Sequence, residues 1–93
     1  MPIGMLTLEI YIPDAHSLKD KRQVLRSLKD RLRARFNVAV AELDGQDAWQ
    51  RATVGVVTLS NNAGHIEQSL RTIFEESERL LGRDLVGHDL QLL

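Results

Sequence analysis

The chain has 93 residues, 43% of them hydrophobic, no cysteine, and a formal net charge of −1 from 12 lysines and arginines against 13 acids. That length makes a single domain over 1–93 with one modest core, and the apolar fraction excludes a disordered chain. Without thiolates there is no disulfide staple, no thiol nucleophile and no thiolate zinc site, and no apolar run reaches membrane-spanning length.

The opening "MPIGMLTLEIYIP" carries no positive segment, and Glu9 interrupts its apolar character, so it is not read as a signal peptide. A cytoplasmic location with no membrane partner is expected. Within it, Leu6, Leu8, Ile10 and Ile12 alternate with Met5, Thr7, Glu9 and Tyr11. That pattern predicts a strand with one buried side, ended by Pro13. Ser17 then reads as a helix N-cap, with Asp20 completing a capping-box pattern. Leu18, Leu25, Leu28, Leu32 and Phe36 follow at helical spacing.

"NVAVAELD" predicts a second strand, Asp44-Gly45 a turn, and "AWQRATVGVVTLS" a third strand paired to it as a hairpin. Asn61-Asn62 can cap a second helix whose Ile66, Leu70, Ile73 and Ser77 keep helical spacing up to Gly82. "DLVGHDLQLL" predicts a final, weaker strand. The order βαββαβ, with right-handed crossovers, gives an α+β, ferredoxin-like sandwich: a four-stranded antiparallel sheet with two helices on one face.

The open face of that sheet is expected to be apolar, because strands two and three carry hydrophobic residues at both parities. Tyr11, Leu43, Val57 and Leu59, with Trp49 on the parity of the last two, are the candidate interface residues. A patch of this kind marks self-association, so a homodimer is expected.

The first helix concentrates charge. Ser17 to Phe36 holds eight of the twelve lysines and arginines and two of the thirteen acids. At roughly 100° per residue, Lys19, Arg22, Arg26, Lys29 and Arg33 fall in one arc, a stripe about 21 Å long. Lys21, Arg31 and Arg35 point elsewhere. Lys21 falls on the apolar arc, where it is expected to snorkel past the end of the sheet. Five like charges at this spacing repel, and bases in the first turns oppose the helix dipole. A solvated face is the plain alternative, but a stability-only sequence would reverse this arrangement. Acids of the second helix can pair with some of these bases across the helix seam, though not with a whole outward stripe.

The segments "HSLKDKRQVLRSLKDRLRARFNVAVAELD" and "DAWQRATVGVVTLS" closely resemble the YlxP-like family of small bacterial domains of unknown function. The resemblance covers nearly the whole chain. It implies a ferredoxin-like fold and brings no catalytic residues. Its genomic neighbourhood among translation and ribosome-maturation genes implies RNA or ribosome proximity.

No enzyme activity is expected. His16, His65 and His88 lie on separate elements, and no nucleophile elbow is present. No metal and no cofactor are expected; the acids Glu42, Asp44 and Asp47 read as a polar hairpin. Base stacking on the sheet face needs aromatics on the central strands, which are missing. Two functions remain: an RNA- or ribosome-associated module binding phosphates through the basic stripe, or a self-associating regulatory or scaffold module, with or without a small ligand.

Overall fold

The computed structural model describes residues 2–93. The elements run β1 (Ile3–Tyr11), α1 (Leu18–Arg35), β2 (Ala39–Asp44), β3 (Arg51–Leu59), α2 (Ala63–Leu81), a single 3₁₀ turn (Gly82–Asp84) and β4 (Leu85–Leu92). The four strands form one antiparallel sheet in the order β2-β3-β1-β4. Both helices pack on one face of it, giving the ferredoxin-like sandwich that the sequence pattern predicts.

The alternation in β1 decides which face is covered. Leu6, Leu8 and Ile10 are buried under the helices, beside Ala52, Val54 and Val56 of β3. Leu28 and Leu32 of α1 and Ile66, Leu70 and Ile73 of α2 close the core from above. Burying a leucine or isoleucine side chain of this kind stabilises by about 1.5–3 kcal/mol. At Gly4 the approach of α2 leaves no room for a side chain, since an added Cβ would lie 2.5 Å from Ile66 Cγ2.

The caps explain where the helices start. Ser17 Oγ accepts the Asp20 N–H at 3.1 Å, while the Asp20 carboxylate accepts from the His16 N–H at 2.9 Å, one residue upstream of the usual reciprocal partner. Asn62 Oδ1 accepts the His65 N–H at 3.1 Å, and Gly82 ends α2 at φ +56°.

The edges of the sheet differ. In β2 the register slips between Glu42 and Asp44, which leaves Leu43 as an extra, bulged residue. In β4 a slip opposite Glu9 and Ile10 leaves Val86 unpaired and exposed. Leu90 and Leu92 of β4 lie opposite Leu6 and Gly4, so they belong to the helix-covered side, at the margin of α2.

The third strand is shorter than its sequence predicts. Ala48, Trp49 and Gln50 belong to the loop that joins β2 to β3. Gln50 diverts them: its side-chain amide donates to the carbonyls of Pro13 (2.9 Å) and Ala15 (3.3 Å), tying this loop to the one before α1. The Ile12 N–H donates to the Gln50 carbonyl at 2.6 Å and extends the β1–β3 pairing by one bond.

Candidate nucleic-acid interface

The bases of α1 divide into two groups. Lys21 is fully buried, at 0% exposure. Its ammonium donates to Glu42 Oε2 at 2.8 Å and to the Gly45 carbonyl at 2.6 Å, with the Gln46 and Arg51 carbonyls at 3.4 Å. It therefore does not snorkel past the sheet, as the helical wheel suggests. It turns inward and closes the base of the β2–β3 loop, because that loop presents carbonyls that lack strand partners. Gly45 sits there at φ +85°, and an added Cβ would meet the Arg51 carbonyl oxygen at 2.8 Å, so only glycine fits.

Arg31 and Arg35 turn the other way, toward α2. Arg35 Nη1 lies 3.0 Å from Glu76 Oε2 and Arg31 Nη1 lies 3.4 Å from Glu76 Oε1, with Arg79 Nη2 3.5 Å from the same carboxylate. Glu76 itself is buried. Pairing across the helix seam thus takes in two bases of α1.

Lys19, Arg22, Arg26, Lys29 and Arg33 remain exposed, and none has an acid within ion-pair distance among the described residues. From Arg22 to Arg33 the stripe faces sideways, over the β2 edge. Four of its members, Arg22, Arg26, Lys29 and Arg33, form one wall of a groove of about 420 Å³ between α1 and β2. Leu25, Val40 and Val54 supply its apolar floor. Glu42 closes the β2 side, and Asp30 stands among the bases of the α1 wall. The sequence pattern predicts the stripe; the groove beneath it depends on how far α1 stands from the edge strand, which periodicity does not report.

The other face of the sheet carries the candidate interface residues. Tyr11, Leu43 and Leu59 are exposed there, and Val57 is half-buried. Leu59 pairs with Ile3, and Val57 with Met5 and Ala39, which makes a continuous apolar band across β1, β3 and β2. Leu43 folds over Gly55, where an added Cβ would lie 2.8 Å from Leu43 Cδ1. Trp49, 56% exposed, is not on β3 as its parity suggests. It shares a concavity with Tyr11, His16 and Arg51 at one end of the sheet.

The histidines are dispersed. His16 precedes α1, His65 lies in the first turn of α2, and the His88 ring stacks at a tilt on Phe74, centroids 4.1 Å apart. No cluster of three metal-ligating side chains occurs among the described residues.

Residues 3–86 match the family described as "Protein of unknown function (DUF503)". The chain belongs to that family. It is 37% identical over 87 residues to the uncharacterized protein YlxP of Bacillus subtilis, a match covering 87% of this chain and 95% of the relative. Among solved structures, it is similar to a dimeric ferredoxin-like protein of unknown function from Thermobifida fusca, with a TM-score of 0.51, 14% identity, and coverage of 98% of this chain and 90% of that one. It is similar also to a putative antibiotic biosynthesis monooxygenase from Bordetella bronchiseptica, with a TM-score of 0.51, 16% identity, and coverage of 100% and 96%. At such identities these two likenesses show the fold alone. No helix among the described residues is long and apolar enough to cross a membrane.

Proposed function

We propose that this domain is a non-enzymatic RNA-binding module, cytoplasmic and associated with RNA or the ribosome, that holds phosphates along α1. One observation carries the reading: five bases on one arc stay exposed and unpaired, while their neighbours on the same helix are each engaged by an acid. A helix kept for solubility alone would gain from acids interspersed in that arc. Repulsion along the stripe is relieved when counter-charge arrives, and a row of phosphates supplies it. The dispersed histidines support a binding role over a catalytic one. Fluorescence anisotropy with a labelled short RNA tests the reading. The wild type is expected to bind more tightly than ~100 μM at low salt, the weak end of non-specific binding. A variant with all five stripe residues changed to Gln is expected to show no binding in that range, and equal affinity of the two would overturn the reading.

A second feature accompanies it. The apolar band formed by Ile3, Met5, Val57, Leu59 and Leu43 on the open sheet face supports pairing of two copies face to face. The similar Thermobifida fusca protein is described as dimeric. This pairing leaves both α1 stripes outward, so self-association and RNA binding are compatible.

A further inference from the structure

We infer that the groove between α1 and β2 takes single-stranded RNA, with phosphates along the basic wall and bases in the groove, and that it favours bases carrying an exocyclic amine. The inference deepens the phosphate-binding reading above and depends on it.

Three properties of the groove lead there. Its volume, about 420 Å³, lies in the range of clefts that enclose small ligands, roughly 300–1,000 Å³. A phosphate chain alone has no use for the apolar floor of Leu25, Val40 and Val54, whereas the face of a base is suited to it. A duplex keeps its bases stacked inside and would leave that floor empty, while a single strand can splay them out. No aromatic ring lines the groove, so the bases rest on the apolar floor and not on a stacking ring, which leaves the arginines of the wall to the phosphates.

Glu42 gives the orientation. Its side chain is 22% exposed, and one carboxylate oxygen is bound to Lys21. The carboxylate keeps further acceptor capacity toward the groove. It repels a phosphate and accepts a hydrogen bond from an amine, so bases and not phosphates belong on the β2 side. Cytosine presents an amine at the position where uracil presents a carbonyl oxygen. The two pyrimidines are alike in size and charge but differ along the whole Watson–Crick edge, because N3 is a donor in uracil and an acceptor in cytosine. A preference for cytidine therefore reports the amine facing Glu42 and not the uracil N3–H. Asp30, among the bases of the α1 wall, lies along the phosphate track and opposes every sequence equally.

The test is anisotropy at constant salt with labelled oligo-cytidine and oligo-uridine about eight nucleotides long, within ordinary single-strand site sizes, and an RNA duplex as competitor. The wild type is expected to bind cytidine about three- to tenfold more tightly than uridine, the effect of one charge-assisted hydrogen bond at a partly exposed site. The duplex is expected to compete poorly. Asp30→Asn should tighten both oligomers equally, and Glu42→Gln should erase the preference. Thermal melts accompany Glu42→Gln because Glu42 also holds Lys21, and the comparison of cytidine with uridine on wild-type protein stands without that variant. If the two oligomers bind alike and the duplex competes fully, the groove inference is overturned and the phosphate reading survives. If an acidic peptide displaces both oligomers while they bind alike, the groove is a protein-docking surface and the inference is overturned. If nothing binds more tightly than ~100 μM, the phosphate reading itself fails.

Discussion

Lys19 and Lys21 stand two residues apart on the same helix and have opposite fates. Lys21 is enclosed by a carboxylate and three carbonyls, whereas Lys19 and the four bases in line with it face solvent without an acid. The same division runs along all of α1. Bases that point toward the sheet or toward α2 are used by the fold, and bases that point over the β2 edge are not. The comparison divides the charge on this helix into two sets, separable by direction. One set holds the hairpin and the helix pair together. The other is a net cost to the isolated domain, from like-charge repulsion and from bases near a helix start.

Breaking the inward set should have the largest effect. Lys21→Met removes the donor from Glu42 and from the Gly45 and Arg51 carbonyls, and is expected to cost about 2–4 kcal/mol in chemical denaturation. Lys19→Met should stay within about 0.5 kcal/mol, as exposed positions do. A loss below about 1 kcal/mol at Lys21 would mean that its enclosure contributes no more than an ordinary surface contact.

The seam toward α2 should be intermediate. Glu76→Ala leaves Arg31, Arg35 and Arg79 facing one another, and is expected to cost about 1–2 kcal/mol. The arginines are half-exposed or more, so water offsets part of the loss. The loss should shrink at high salt, because the remaining repulsion is screened. A salt-independent loss would assign it to packing instead.

The sheet face sharpens the comparison from the other side of the molecule. Leu59→Asp places a charge in the apolar band, and light scattering at micromolar concentration should show the dimer mass of the wild type falling to that of a monomer. A wild type that is already a strict monomer would remove the dimer. The smallest effect on the fold belongs to the stripe itself. Arg26→Gln should leave stability unchanged or raised by a few tenths of a kcal/mol, since it relieves repulsion from Arg22 at i−4 and Lys29 at i+3, offset in part by Asp30 at i+4.

Periodicity made most of this architecture legible. One-sided alternation in β1 and the leucine spacing of α1 each have a single geometric solution, and they place the core correctly. The stripe is legible for the same reason. Lys21 was legible only in part. The wheel places it on the apolar arc, but its oxygen partners lie 21 to 30 positions away in sequence, beyond any local pattern. One signal was present: Glu42 shares the inward parity of Val38 and Val40, and a lone base and a lone acid on two core-facing positions call for each other. Trp49 misled for a different reason. "AWQRATVGVV" reads as one continuous strand by propensity, but Ala48 and Trp49 leave the sheet where the Gln50 side-chain amide bonds to Pro13 and Ala15, while the Gln50 carbonyl keeps one bond to β1. The groove was not legible at all, because it is a distance between two elements and not a property of either.

The central claim is that the outward bases meet phosphates together, as one surface. Its most direct measurement is the salt dependence of binding to single-stranded RNA. Five contacts, at about 0.7 released counterions each, predict a slope near −3.5 in log affinity against log salt. Each stripe residue changed to Gln should reduce the slope by about 0.7, and Arg71→Gln on α2 should leave it unchanged. A slope near zero, or one that falls as much for Arg71→Gln as for Arg26→Gln, would contradict the account.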